Sequence, residues 1–512
     1  MAWPPTIPST YYSSFIFFLF MLPFASRSSY GFGLQLSFDI HHRYSDPVKA
    51  ILGAEGLPEK GSVEYYVAMA HRDRIIRGRH LAASNNQSSP LTFSSGNKTS
   101  LIASFGNLHY AIILVGTPSL SFLVALDTSS DLFWLPCDCK EGGCIRSLLL
   151  STGQQVLFNI YSPRNSSTSE IVSCNSKLCT QNQCPSPSSN CPYKVDYRSV
   201  DTSSTGILVE DVLHLITDDD QLKAVNASIT FGCGQSQTGT LLKGIAPNGL
   251  FGLGMGDISV PSTLARNGLA SNSFSMCFVP DGLGRISFGN NGSLYQKETP
   301  FNVEQPHPTY NISITQIAVG SNSSELELSV IFDSSTSHTS LTNPAYTLIS
   351  ESFNSQVQNK RHSSDSSQIP FEYCYELSPN QVYEVPSVNL TMKGGDQYFV
   401  TNPIEVVDTE GGNVVYCLGI VKSEDISIIG QNFMTGYRIV FDREKMVLGW
   451  KESNCNDDEK SNTLAPSHSP SASPTLVVNP DATKNSGSSH SPKLKSFAYA
   501  LTLLLVSFFA FF

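Results

Sequence analysis

The sequence predicts an all-β protein, mainly strands with a few short helices, folded as two lobes related by a pseudo-twofold axis with a cleft between them. Three observations predict it. From about residue 100 to 450, short apolar or alternating runs are split by clusters of Gly, Ser, Asn and Pro, the pattern of strands and turns. Helical periodicity is confined there to brief stretches such as 260–265 and 345–357. One motif occurs twice, as Val124-Ala125-Leu126-Asp127-Thr128-Ser129-Ser130 and Val330-Ile331-Phe332-Asp333-Ser334-Ser335-Thr336: an apolar strand ending in Asp, then three hydroxyl residues. Each copy has a later companion of two large apolar residues and a glycine, Leu250-Phe251-Gly252 and Ile428-Ile429-Gly430. A lone Asp at a strand end is usually a turn or cap residue. A duplicated one, delivered from equivalent strand ends of two lobes, meets its twin at the axis between them.

Taken in order, residues 15–25 are an apolar run followed by the small residues Ser26, Ser28 and Ser29, which predicts a secretory signal over 1–28. Residues 29–96 carry a basic cluster at 71–80, opposite in charge to the body. They predict a detachable pro-segment lying across an acidic cleft, an amphipathic surface helix being the other reading. Residues 97–298 form the N-terminal lobe with Asp127, and residues 299–455 the C-terminal lobe with Asp333. Residues 456–486 are a Ser/Pro-rich stalk with too few apolar residues to fold. In 487–512 small and polar residues lead into the apolar run 497–512, the pattern of a GPI-attachment signal, with Asn485 or Ser486 as the attachment residue. The run is shorter than the ~20 residues of a membrane-spanning helix, which is the competing reading. The expected location is the extracellular face of the plasma membrane, reached through the secretory pathway and held there by the anchor.

That route sets the chemistry of the 12 cysteines. An even number in an oxidising compartment predicts six disulfides. Metal ligation by Cys137, Cys139 and Cys144 is the alternative, but no histidine or second C-x-x-C lies near them. Sequons at Asn86, Asn97, Asn165, Asn226, Asn291, Asn311, Asn322 and Asn389 fit the same route, and any that carries a glycan must lie on the surface. With 40% hydrophobic and 15% charged residues the chain can bury a large core, which excludes a disordered protein. A net charge of -11, with no basic stripe in the body, excludes nucleic acid as a partner.

On these residues the chain resembles the pepsin-like aspartic proteases, and within them the plant branch that includes the nepenthesins. The likeness covers roughly residues 108–455. Besides the duplicated motif it rests on Asp131-Leu132-Phe133-Trp134-Leu135-Pro136, on Cys191-Pro192-Tyr193-Lys194-Val195-Asp196-Tyr197 and on Phe231-Gly232-Cys233-Gly234. Gly430-Gln431-Asn432-Phe433 and Val440-Phe441-Asp442 before Trp450 complete it. The resemblance implies the bilobal pepsin-like acid protease fold and a monomeric endopeptidase that acts on peptides or proteins at acidic pH, with no metal and no cofactor. Asp127 and Asp333 would be the catalytic pair. Two adjacent carboxylates cannot both ionise, so they share one proton: the ionised one takes a proton from a bound water, and the protonated one donates to the scissile carbonyl oxygen.

The same resemblance makes Thr128 and Ser334 the buried hydroxyls that lock the two loops together, and has Ser130 and Thr336 bond the outer carboxylate oxygens. It makes Tyr197 the flap tyrosine and Trp134 the residue that braces the tyrosine hydroxyl. It pairs Cys137 with Cys233, Cys139 with Cys144, Cys174 with Cys191, Cys179 with Cys184, Cys277 with Cys455, and Cys374 with Cys417.

The chain departs from the family pattern at Ser129 and Ser335, where the family has glycine. Glycine serves where backbone approaches closely or takes positive φ; serine adds a Cβ and a hydroxyl beside each carboxylate. The glycines usual after the flap tyrosine are here Arg198, Ser199 and Val200. Two function classes follow: an active endopeptidase, or a catalytically silent binding protein on the same scaffold, comparable to the plant xylanase inhibitors. The retained aspartates, their hydroxyl neighbours and Tyr197 favour the enzyme.

Overall fold

The structure is a computed structural model. It describes residues 35–455 except 55–56, 78–107, 150–152, 154, 180–183, 198–201, 218–221, 245, 280–282, 294, 305–307, 363–368, 378–383 and 410–412. The signal, the stalk, the anchor region with Asn485 and Ser486, and the sequons at Asn86 and Asn97 therefore lie outside the described residues.

The expected fold class is the one observed. In the N-terminal lobe the strands His109–Val115 and Leu120–Asp127 form an antiparallel hairpin, from Tyr110 opposite Ala125 to Val115 opposite Leu120. Leu250–Gly252 runs parallel along the other side, with Gly252 opposite Asp127. Flanked on both sides, Leu120–Asp127 is buried from Phe122 onward, which is why its sequence is continuously apolar rather than alternating. Trp134–Pro136 pairs antiparallel with this companion at Leu250 and parallel with Gly232, Cys233 and Gly234 of the strand Ala224–Gln237.

The C-terminal lobe repeats the arrangement. Asn322–Phe332 runs parallel to Ser427–Ile429, Thr339–Leu341 runs parallel to Ile420–Lys422, and Ser340 lies antiparallel to Ile428. The first half of Asn322–Phe332 is largely exposed and its end is buried, so the strand carries the chain inward to Asp333.

Two large sheets result among the described residues, one of 14 strands and one of 7. The larger joins the lobes through Ser273–Phe278, which pairs with Tyr437–Asp442 and stacks Phe274 on Phe441 with ring centroids 4.7 Å apart. The helices expected at 260–265 and 345–357 are observed as Val260–Arg266 and Ala345–Gln356. The second buries Ala345, Ile349 and Phe353, spaced one turn apart on its inner face.

The N-terminal segment is built into this framework. Its strand Leu36–His42 lies between Leu283–Phe288 and His109–Val115, with Leu36 and Ile40 fully buried. The helix Asp46–Leu52 buries Val48 and Leu52 among Tyr110, Leu123 and Phe158 of the N-terminal lobe. The helix Val63–Arg77 buries Tyr65, Tyr66 and Met69 among Phe371, Val407 and Val415 of the C-terminal lobe. Within the basic cluster Arg72 is fully buried and Asp73 nearly so, so these two do not sit on a surface helix face; residues 78–80 of the cluster lie outside the described residues.

Two further expectations are corrected. Four of the expected disulfides are present, Cys137–Cys233, Cys139–Cys144, Cys277–Cys455 and Cys374–Cys417. The remaining four cysteines pair instead as Cys174–Cys184 and Cys179–Cys191. The sulfurs of Cys174, Cys179 and Cys184 lie within 4.8 Å of one another, so spacing along the chain does not single out one partner. Cys137, Cys139 and Cys144, the alternative metal set, are all disulfide-bonded. Of the described sequons, Asn165, Asn226, Asn291 and Asn322 are exposed and Asn389 is half-buried. Asn311 is buried, and its Oδ1 accepts hydrogen bonds from Asn302 and Ser329 at 2.7 Å each, which leaves no room for a glycan.

Candidate active site

The two Asp loops meet as the duplication requires. Thr128 Oγ1 accepts a hydrogen bond from the Ser334 peptide N–H at 3.0 Å and lies 3.3 Å from the Ser334 hydroxyl, so the residues directly after the two aspartates are bonded across the lobes. Asp127 and Asp333 are both buried. Within each loop the donors are arranged alike. The Ser130 hydroxyl donates to Asp127 Oδ2 at 2.7 Å, and the Thr336 hydroxyl donates to Asp333 Oδ2 at 2.6 Å. The Ser129 N–H and hydroxyl both donate to Asp127 Oδ1, at 2.9 and 2.7 Å. The Ser335 N–H and hydroxyl both donate to Asp333 Oδ1, each at 3.0 Å. Carboxylates held by several donors are fixed in a single orientation.

The companion glycines explain how the loops can pack so closely. A Cβ at Gly252 would stand 2.4 Å from the Asp131 carbonyl oxygen, and one at Gly430 would stand 2.6 Å from the His338 carbonyl carbon. In both lobes the glycine lets the companion strand pass against the backbone that follows the aspartate.

Tyr197 ends the strand Pro192–Tyr197, which pairs antiparallel with Thr202–Ile207 of the long strand Thr202–Thr217. Its hydroxyl accepts a hydrogen bond from Trp134 Nε1 at 2.7 Å. Burial, with the charge of Asp127 adding to it and the Trp134 bond opposing, pushes the Tyr197 hydroxyl far above its ordinary value. The phenol therefore stays protonated. Arg198, Ser199 and Val200, which stand in place of the usual flap glycines, lie outside the described residues.

A second layer covers the Asp333 loop. Arg72 Nη1 donates to the Ser335 carbonyl oxygen at 2.9 Å and to Asp73 Oδ1 at 2.8 Å. Asp73 accepts from the Ser337 N–H and hydroxyl, both at 3.0 Å, and from the His338 N–H at 3.4 Å. Beside this contact is a cavity of about 130 Å³, walled by His42, His109, His338, Tyr66, Glu405 and Gln431 among others. Burial holds the histidines neutral. His42 is pushed down to about 3, with the charges of Lys60, Arg72, Arg43 and Lys49 adding to the effect. His338 is pushed down to about 4 against the opposing charge of Asp73, and His109 lies well below its ordinary value. Burial pushes Glu405 up to about 7, against the Tyr66 hydrogen bond and Lys60.

Of the residues singled out in the sequence, Asp127, Ser130, Thr128, Ser334, Asp333 and Thr336 lie in two loops bonded to each other, and Tyr197, bonded to Trp134, lies near enough to Asp127 to feel its charge. Sequence reasoning missed Arg72, Asp73, His338 and Glu405. The basic cluster pointed to a segment able to cover a cleft, but an acid inside that cluster, reaching backbone N–H groups, left no signature of its own.

Residues 109–290 match the family described as Xylanase inhibitor N-terminal, and residues 309–452 match Xylanase inhibitor C-terminal. Aspartyl protease family protein 1 of Arabidopsis thaliana is 56% identical over 94% of this chain and 93% of its own length. Aspartic proteinase-like protein 1 of the same plant is 38% identical over 86% of this chain and 84% of its own. Aspartic proteinase nepenthesin-1 of Nepenthes gracilis is 28% identical over 70% of this chain and 81% of its own. Among solved structures, basic 7S globulin from soybean superposes with a TM-score of 0.52 at 22% identity, over 68% of this chain and 92% of that one. Conglutin gamma from lupine seeds does so with a TM-score of 0.52 at 20% identity, over 68% and 91%. At these identities the solved structures bear on the fold alone.

Proposed function

Since this chain belongs to the pepsin-like aspartyl protease family of plants, we propose that it is an aspartic endopeptidase in which Asp127 and Asp333 activate a water for attack on a peptide bond. The observation that carries this reading is the paired donor set. Each carboxylate is held by its own loop, and the two loops are bonded to each other through Thr128 and Ser334. One shared proton lets the ionised aspartate act as base on the water and the protonated one as acid on the scissile carbonyl oxygen. Tyr197, braced by Trp134, lies near enough to Asp127 for the carboxylate's charge to act on its hydroxyl. Residues 29–96 act as a pro-segment, whose Arg72 and Asp73 occupy polar groups of the Asp333 loop until the segment is removed.

A second reading, a silent binding protein, draws on the serines beside both aspartates and on the xylanase-inhibitor description of the matching families. The deciding experiment is peptide cleavage by the secreted protein between about pH 3 and 6, with and without a transition-state mimic. Cleavage is expected, and Asp127→Asn or Asp333→Asn should each lower kcat at least about a hundredfold while leaving the circular dichroism spectrum unchanged. A correctly processed wild type that cleaves nothing would favour the binding protein.

The composition of 485–512 and of 15–29 supports a GPI-anchored protein on the outer face of the plasma membrane. Phosphatidylinositol-specific phospholipase C should release it from intact cells, and retention after complete treatment would favour a spanning tail.

A further inference from the structure

In both loops, the residue two positions after the aspartate does something that glycine cannot. Its peptide N–H bonds the carboxylate oxygen Oδ1, as any residue would allow, and its hydroxyl adds a second bond to that same oxygen. Neither position demands glycine. Among the described residues the non-glycine positions with positive φ are Asp138, Leu222, Met446 and Cys455, so Ser129 and Ser335 carry their Cβ without backbone strain. The addition is also duplicated, at equivalent sites of two lobes whose sequences otherwise differ widely.

We propose that Ser129 and Ser335 are positioning residues of the dyad, each hydroxyl fixing the rotation of its carboxylate and favouring its ionised form, so that activity is shifted toward lower pH. This rests on the endopeptidase reading given above. The physical basis is direct: hydrogen bonds to the charged form of an acid stabilise that form, and two such bonds on one oxygen leave the carboxylate one preferred orientation. A pair stabilised in this way keeps its single-proton state to lower pH and also surrenders the shared proton at lower pH. Both limbs of the bell-shaped profile therefore move in the acid direction. Among the described residues, Tyr197 of the flap strand bears on Asp127, and Arg72 and Asp73 of the N-terminal helix touch the backbone of the Asp333 loop for as long as that segment is in place. None of them is altered by changing the serines.

The test compares wild type with the double variants Ser129→Gly/Ser335→Gly, Ser129→Ala/Ser335→Ala and Ser129→Thr/Ser335→Thr. The secreted proteins are brought to the same processing state, verified by N-terminal sequencing, and folding is checked by thermal unfolding. The Gly and Ala variants should shift both limbs of the kcat/KM profile upward by on the order of one pH unit, and Thr, which keeps the hydroxyl, should restore the wild-type profile. Superimposable profiles in all four proteins would overturn the proposal while leaving the endopeptidase reading intact. A wild type inactive throughout would instead overturn that reading. The hydroxyls are then read without activity, by carbon-13 NMR titration of the Asp127 and Asp333 carboxyl groups in wild type and the Ala variant. Upward movement in the variant supports the proposal, and no movement overturns it. An inactive wild type whose Gly variant cleaves would overturn it too, because the hydroxyls would then block the water rather than tune the acids.

Discussion

Thr128 is a small residue with a large structural duty. Its Oγ1 receives the buried Ser334 N–H, so this bond between the lobes depends on one oxygen atom. Thr128→Val keeps the shape and removes that acceptor, leaving a buried N–H unpaired at a cost of about 1–3 kcal/mol. The expected result is a lower unfolding midpoint together with a lower kcat and little change in KM, because the carboxylates lose their mutual alignment rather than their contact with substrate. A variant with wild-type stability and kcat would show that the lobes are aligned by other contacts. Asn311 marks the other side of the residue scale: its sequon is intact in the sequence, and its burial beneath Asn302 and Ser329 is a property of the packed strands alone.

At the scale of elements, the decisive units are the companion strands Leu250–Gly252 and Ser427–Ile429, which run beside the strands that deliver the aspartates. Their apolar residues are buried, and the glycine that follows each pair lets backbone meet backbone. Gly252→Ala and Gly430→Ala each place a Cβ under 3 Å from main-chain atoms that cannot rotate away, so a loop next to an aspartate must shift. Each substitution is expected to cost about 1–3 kcal/mol in thermal unfolding and to reduce cleavage more than stability alone explains. Retention of both in either variant would mean that the approach is looser than the geometry indicates.

At the scale of the whole molecule, the N-terminal segment touches both lobes at once: a strand in the large sheet, one helix on the N-terminal lobe and one on the C-terminal lobe. Its docking on the C-terminal lobe should depend on pH, and the sign follows from the groups around the shared cavity. The docked histidines stay neutral down to about 4 for His338 and about 3 for His42. Released, they would take up protons as the pH falls through 6.5. Each therefore adds no penalty to docking above 6.5 and a growing one below it. Glu405 acts the other way, because its docked value of about 7 against an ordinary 4.5 makes docking easier as pH falls over that interval. One carboxyl opposes three histidines, so the net effect of acid is release. Hydrogen exchange of Val63–Arg77 in Asp127→Asn protein, with the intact segment verified by mass spectrometry, should be slow at pH 7 and clearly faster at pH 4 once corrected for intrinsic rates. Equal protection at both values would refute it.

The duplicated strand–Asp–hydroxyl motif, its apolar-apolar-glycine companions and the strand and turn pattern were legible in the chain, because each is a local pattern that a β framework imposes on consecutive residues. From them came the two lobes and the meeting of the two aspartate loops, while the roles of the hydroxyls around both carboxylates came from the family resemblance. What the chain alone left open was settled by groups distant in sequence coming together. The sulfurs of Cys174, Cys179 and Cys184 lie close together, and the pairing Cys174–Cys184 with Cys179–Cys191 is fixed by the fold rather than by spacing in the chain. Arg72 and Asp73 read as charges of a pro-segment or of a surface helix, and their actual partners, a carbonyl oxygen and two peptide N–H groups of the Asp333 loop, are brought to them only by the fold. Whether glycine was needed beside the aspartates was likewise decided in three dimensions: the close approaches fall at Gly252 and Gly430, leaving Ser129 and Ser335 room for a side chain.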